Sequence, residues 1–138
     1  MSAHNRQHHC VSKKNKVLID TLAMASEAAL DKEYSYGIST PGSFGNTCNI
    51  QSATDLLKAL ESGERDIEVL ADISHEGWSK IARKFDDPIY KSQPEKRAKR
   101  LKLAETPYAE LPEDEKEKDR VAAKAVLKAY LKFTGGGS

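Results

Sequence analysis

Long apolar runs are missing from this 138-residue sequence. Stretches such as Val17-Leu18-Ile19 and Ala28-Ala29-Leu30 fall far short of the roughly 20 residues that a transmembrane helix needs, so no membrane span is expected. The opening residues, Met1 to Cys10, lack the apolar core of a secretory signal, and a cytoplasmic location is expected. Cysteine occurs twice, at Cys10 and Cys48, and a reducing compartment keeps both as free thiols. Neither sign of charge dominates: 22 Lys and Arg face 21 Asp and Glu, a formal +1, so nothing global draws the chain to nucleic acid or an anionic surface. No alternating run of Val, Ile and Thr demands a sheet. Catalytic patterns such as Gly-x-Ser-x-Gly and His-Glu-x-x-His are absent, and the acids Asp86-Asp87 and Glu113 to Glu115 read as loop and helix-start residues. Neither an enzyme nor a cofactor is expected.

What is present is helical periodicity. The length suits one domain with appendages: a polar segment 1–13, a helical domain 14–134 and a linker-like Gly-Gly-Gly-Ser end, 135–138. Leu18, Leu22, Ala25 and Ala29 recur at helical spacing and predict a first helix over Asn15 to Leu30. Gly37, Pro41, Gly42 and Gly45 break the pattern, and the stretch 34–51 reads as a long loop of the kind that carries function. Ser52 with Asp55 forms a capping-box-like start for a short second helix through Leu56, Leu57 and Leu60, stopped by Gly63. Ile67, Leu70, Ala71, Ser74, Trp78, Ile81, Ala82 and Phe85 predict a third helix over Glu64 to Lys84. Pro88, Pro94 and Pro107 make 86–111 mostly loop, with a short helix at Glu95 to Lys102. Pro112 in a first helical position and the acids after it open a last helix with Ala122, Val126, Ala129, Tyr130 and Phe133 on its apolar face. The expected fold is an all-α bundle of about five helices. Its expected core is Leu22, Leu57, Leu70, Trp78, Ile81, Val126 and Phe133.

Charge is patterned locally. From Lys80 to Lys102 nine cations face three anions, and from Glu105 to Asp119 seven acids face two lysines. The first block suits phosphate, with Arg offering paired donors. Equally, the two blocks neutralise one another across the surface. The acidic neighbour argues against long nucleic acid, which needs a continuous basic face. His4, His8, His9 and Cys10 have metal-ligand chemistry, but no Cys-x-x-Cys follows, and no metal site is expected. The Gly37 to Asn46 stretch shares only its richness in Gly, Ser and Thr with phosphate-cradling loops; it could still fold over a ligand and offer backbone N–H groups, with the Ser52 helix start, to an anion.

Two segments together carry a resemblance. Leu70-Ala71-Asp72-Ile73-Ser74-His75-Glu76-Gly77-Trp78 precedes Pro107-Tyr108-Ala109-Glu110-Leu111-Pro112-Glu113-Asp114-Glu115-Lys116-Glu117-Lys118-Asp119-Arg120. In that order and separation, over residues 65–133, they resemble the repeat domain named after the ryanodine receptor, which also occurs in small bacterial and phage proteins. The sequence departs from the family where a Gly-Trp-x-Tyr-Gly segment is usual: here stands Phe85-Asp86-Asp87-Pro88-Ile89-Tyr90-Lys91, with Tyr90 alone matching. The resemblance implies a small helical domain without known catalysis and, for bacterial and phage versions, recognition of nucleotide-derived signals.

The candidate binding residues are therefore His75, Trp78, Arg83, Tyr90, Lys91, Tyr108 and Arg120. Each also has a structural reading. His75 and Trp78 lie three apart on one helix face, so the ring of His75 is equally suited to a hydrogen bond with a loop and Trp78 to the core. Tyr108 suits packing beneath the last helix. Arg120 points away from its neighbour Asp119 and is free to reach the His75 helix or a phosphate. The expected function is non-catalytic binding of a phosphate-bearing, ADP-ribose-like or cyclic nucleotide ligand; a phage-encoded version would sequester a host signalling nucleotide. The alternative is a protein-interaction or assembly module, and phosphodiester hydrolysis is the weakest reading. A homo-oligomer with a shared site fits the limited interior of so small a domain.

Overall fold

The computed structural model describes residues 13–85 and 88–135. The His4, His8, His9 and Cys10 group and the end of the tail lie outside them. Five helices form: α1 (Lys13–Tyr34), α2 (Phe44–Glu61), α3 (Ile67–Ala82), α4 (Pro94–Glu105) and α5 (Glu113–Thr134). Short 3-10 turns at Pro88–Lys91 and Tyr108–Glu110 flank α4, and there is no strand among the described residues. None of the described helices is long and apolar enough to cross a membrane.

Amphipathic spacing decides the packing. α1 turns Leu18, Ile19 and Leu22 inward, α2 contributes Leu56, Leu57 and Leu60, α3 Leu70 and Ala71, and α5 Ala123 and Val126. Tyr108 and Leu111, on the connection into α5, close this core from below the last helix. α1 lies on α5 and α2, while α3 lies on α2 and α5. Fully burying a leucine such as Leu22 or Leu70 contributes about 1.5–3 kcal/mol relative to leaving it exposed. Of the expected core, Leu22, Leu57, Leu70, Ile81 and Val126 are buried. Phe133 is not: burial on α5 fades beyond Val126, and Phe133 in the last turn is 41% exposed. Trp78 is half-buried and lies on a cavity wall instead of in the core.

The helix boundaries differ from expectation at several places: α1 runs on past Leu30 to Tyr34, α3 starts at Ile67 instead of Glu64, and the described part of 86–111, expected to be mostly loop, is mostly helical. α2 starts at Phe44, because Ser43 takes the N-cap position and its hydroxyl accepts from the Asn46 N–H (3.2 Å). The loop is thus 35–43, and Ser52 lies within α2, where its hydroxyl donates to the Ser74 carbonyl of α3 (2.9 Å). Its helix-start role falls away with that. Beside this bond α2 and α3 pass so closely that a Cβ on Gly77 would stand 2.7 Å from the Ser52 Cα. α4 is longer than its Glu95 to Lys102 core, and Pro112 precedes the first turn of α5 as its cap residue.

Candidate functional site

α1, α2, α3, α4 and α5, with the loop 35–43, line a half-open cavity of about 500 Å³. That volume falls in the range typical of small-molecule sites.

The loop forms one wall and is held by carboxylates of α1. Glu27 accepts from the Ser39 N–H (3.0 Å), from the Ser39 hydroxyl and from the Asn49 amide of α2 (3.1 Å). Asp31 accepts from the Gly37 N–H (2.7 Å), an arrangement that Gly37 reaches with φ of +80°. On the far side the Lys118 ammonium lies 5.9 Å from the Tyr36 ring.

Aromatic rings form a second wall. Trp78 stacks on His75 at 5.8 Å and meets Phe44 edge-on at 6.5 Å, and Phe44 in turn meets Phe85 at 5.2 Å. Behind Phe44, the Arg100 guanidinium lies 3.8 Å from its ring and 4.9 Å from that of Tyr90.

Polar groups complete the lining. The carbonyl of Thr106 can only accept, so the His75 Nε2 at 2.8 Å carries a proton and donates to it. The other ring nitrogen, Nδ1, stands 3.6 Å from Asp119 Oδ2 on α5. Burial, then the negative charges of Glu115 and Asp72, against the pull of Lys118, push the Asp119 carboxyl up to about 8. Lys118 is engaged by Glu115 at 3.0 Å. Lys99, on the α4 wall, has no ion pair among the described residues. Burial pushes the Cys48 thiol up to about 12, so it is not a thiolate nucleophile at neutral pH. Among the described residues no group of His, Cys, Asp and Glu is placed to hold a metal ion.

Of the expected binding residues, the fold brings His75 and Trp78 to this cavity and the other five elsewhere. Arg83, at the C-cap of α3, points its guanidinium at the Ala104 carbonyl (3.5 Å), so Arg83 and His75 together receive the carboxyl-terminal end of α4. Tyr90 is buried against Arg100, and Lys91 beside it is exposed. Tyr108 is buried with its hydroxyl donating to Glu68 (3.0 Å). Arg120 does reach the His75 helix, but there it meets a carboxylate: it binds Glu68 (2.7 Å) together with Glu113 (3.0 Å) and Glu117 (3.5 Å) of its own helix. The acidic block is thus engaged with Arg120, Lys116 and Lys118, and no ion pair links it to α4 among the described residues. Among the cavity residues that stood outside the expected site are Glu27, Phe44, Lys99 and Asp119. The signal for Glu27 was an acid four residues after the buried Ala23, continuing an apolar stripe.

Comparison with protein-family models, with curated proteins and with solved structures gives no match for this chain.

Proposed function

We propose that the chain is a non-catalytic binding protein for a nucleotide-derived, phosphate-bearing small molecule. One observation carries this reading: a cavity of nucleotide-accommodating size joins an aromatic wall, Trp78 and Phe44, to the unpaired cation Lys99. A planar base stacks on indole, and an ammonium attracts phosphate. Lys99 also belongs to a wider positive face, since Lys96 and Lys102 lie one turn away on the same side of α4. The resemblance of residues 65–133 to the ryanodine receptor repeat domain supports the same ligand class. Sequestration of a signalling nucleotide needs affinity and abundance and no chemistry, which suits a wall whose one thiol is held protonated.

The test is a thermal-shift screen of the whole chain against linear and cyclic nucleotides and ADP-ribose derivatives. Ligand binding to the native state raises the midpoint. The expected result is a shift with at least one compound that disappears in Trp78→Ala. A flat panel at millimolar ligand overturns the reading and leaves the protein-interaction alternative, for which the basic face of α4 would be the contact and chromatography with cross-linking the assay.

A further inference from the structure

Asp119 is the cavity side chain that stacking and phosphate attraction do not account for. Its carboxyl is only 18% exposed and lines the cavity, yet its one ion-pair contact is His75 Nδ1 at 3.6 Å, beyond hydrogen-bond length. No described residue donates to either of its oxygens. The other acids of the lining are engaged: Glu27 holds the loop and Glu115 holds Lys118. A largely buried carboxyl without a donor is costly unless something supplies one, and the open side of Asp119 is the cavity.

Resting on the reading of the cavity as a nucleotide site, we propose that the ligand is a purine nucleotide whose base carries an exocyclic amine, with that amine donating to Asp119. Three features argue for it together. Trp78 stacks on His75, and His75 faces Asp119, so the indole and the carboxyl line the same part of the cavity and one base can reach both. His75 is fixed by its bond to the Thr106 carbonyl and holds that side of the cavity in place. Lys99 lies on a different wall, α4, and takes the phosphate end. Above about pH 8, where the carboxyl is ionised and can only accept, an oxo group in place of the amine would set two acceptors against each other.

The experiment is isothermal titration at pH 9, where the Asp119 carboxyl is ionised, of the full chain with adenosine, guanosine and inosine 5′-monophosphates, the last lacking an exocyclic amine. The tighter of the two amine-bearing nucleotides is expected to bind about tenfold or more tightly than inosine monophosphate, the effect of losing a hydrogen bond to a charged or buried partner. Asp119→Asn keeps the shape but replaces one acceptor with a donor, and in it the preference shrinks below about threefold or inverts, since the remaining hydrogen bond is then shared between amine and oxo ligands. Equal affinities in the wild-type chain overturn the proposal without any variant, as does a preference that Asp119→Asn leaves intact. If none of the three binds while another phosphate-bearing compound does, this inference fails and the cavity reading stands. If no phosphate-bearing compound binds, both fail.

Discussion

His75 and Asp119 face one another between α3 and α5, with Nδ1 of the ring 3.6 Å from Oδ2 of the acid. The ring is fixed there because its other nitrogen donates to the Thr106 carbonyl at the end of α4. One side chain of α3 thereby binds the end of α4 and faces α5 across the cavity wall.

The acid of this pair makes stability depend on pH. Its folded-state value, about 8, lies above the ordinary 3.8, so the folded chain keeps a proton that the unfolded chain has already lost. The resulting stabilisation is complete below 3.8 and lost as pH rises through about 8. The groups that set the value are Glu115 and Lys118 on its own helix and Asp72 on α3, with His75 facing it. The melting midpoint is expected to fall by several degrees between pH 5 and pH 8, and Asp119→Asn to flatten that slope. Glu68 and Glu113, both held low by hydrogen bonds from Arg120, act the opposite way and only below the ordinary 4.5, outside this window. A wild-type midpoint that rises over the window would contradict the prediction.

Lys99→Glu separates binding from folding. The side chain is exposed and has no ion pair among the described residues, so the substitution changes stability by no more than about 0.5 kcal/mol. Affinity for a phosphate-bearing ligand should fall by about tenfold or more. Titration calorimetry and a denaturation curve on the same sample check both halves.

Gly77→Ala reads the close crossing of α2 and α3. The new methyl would meet Ser52 Cα and Oγ at 2.7 Å, and the backbone atom cannot swing aside. A destabilisation of about 1–3 kcal/mol is expected from overpacking, seen as a lower denaturant midpoint. Alanine tolerated at no cost would mean that the two helices separate easily at Ser52.

Two tyrosines should respond oppositely to loss of the hydroxyl. That of Tyr90 is buried without a hydrogen-bond partner, so Tyr90→Phe is neutral or stabilising. That of Tyr108 donates to Glu68, and Tyr108→Phe should cost about 1 kcal/mol. Chemical denaturation of the two variants side by side distinguishes them.

The helices were largely legible because each buries an apolar stripe, and stripes such as Leu70, Ser74 and Ile81 on α3 repeat at the helical period. The start of α2 was not. Residues 42–49 have the composition of a turn, and only the bond from the Asn46 N–H to the Ser43 hydroxyl reveals a helix cap. Within the site, His75 and Trp78 were legible as a pair because three residues on a helix bring side chains together without help from the fold. Arg83 and Arg120 show the limit of that logic. A cation in sequence carries no mark of its partner, and the fold brings Arg83 to a helix-end carbonyl and Arg120 to three glutamates. Asp119 was hidden for the converse reason, since its significance lies in hydrogen bonds it does not make.

The loop 35–43 has a consequence for the size of what the cavity accepts. It is anchored by polar bonds to Glu27 and Asp31, while its larger apolar residues, Tyr36 and Ile38, remain mostly exposed. Swinging it outward exchanges a few hydrogen bonds for bonds to water and uncovers little apolar surface. The walls made by α3 and α5 are different, because displacing either helix would open the leucine core. The cavity is therefore elastic on the loop side and rigid at α3 and α5, and its resting volume is a lower limit on the room it can offer.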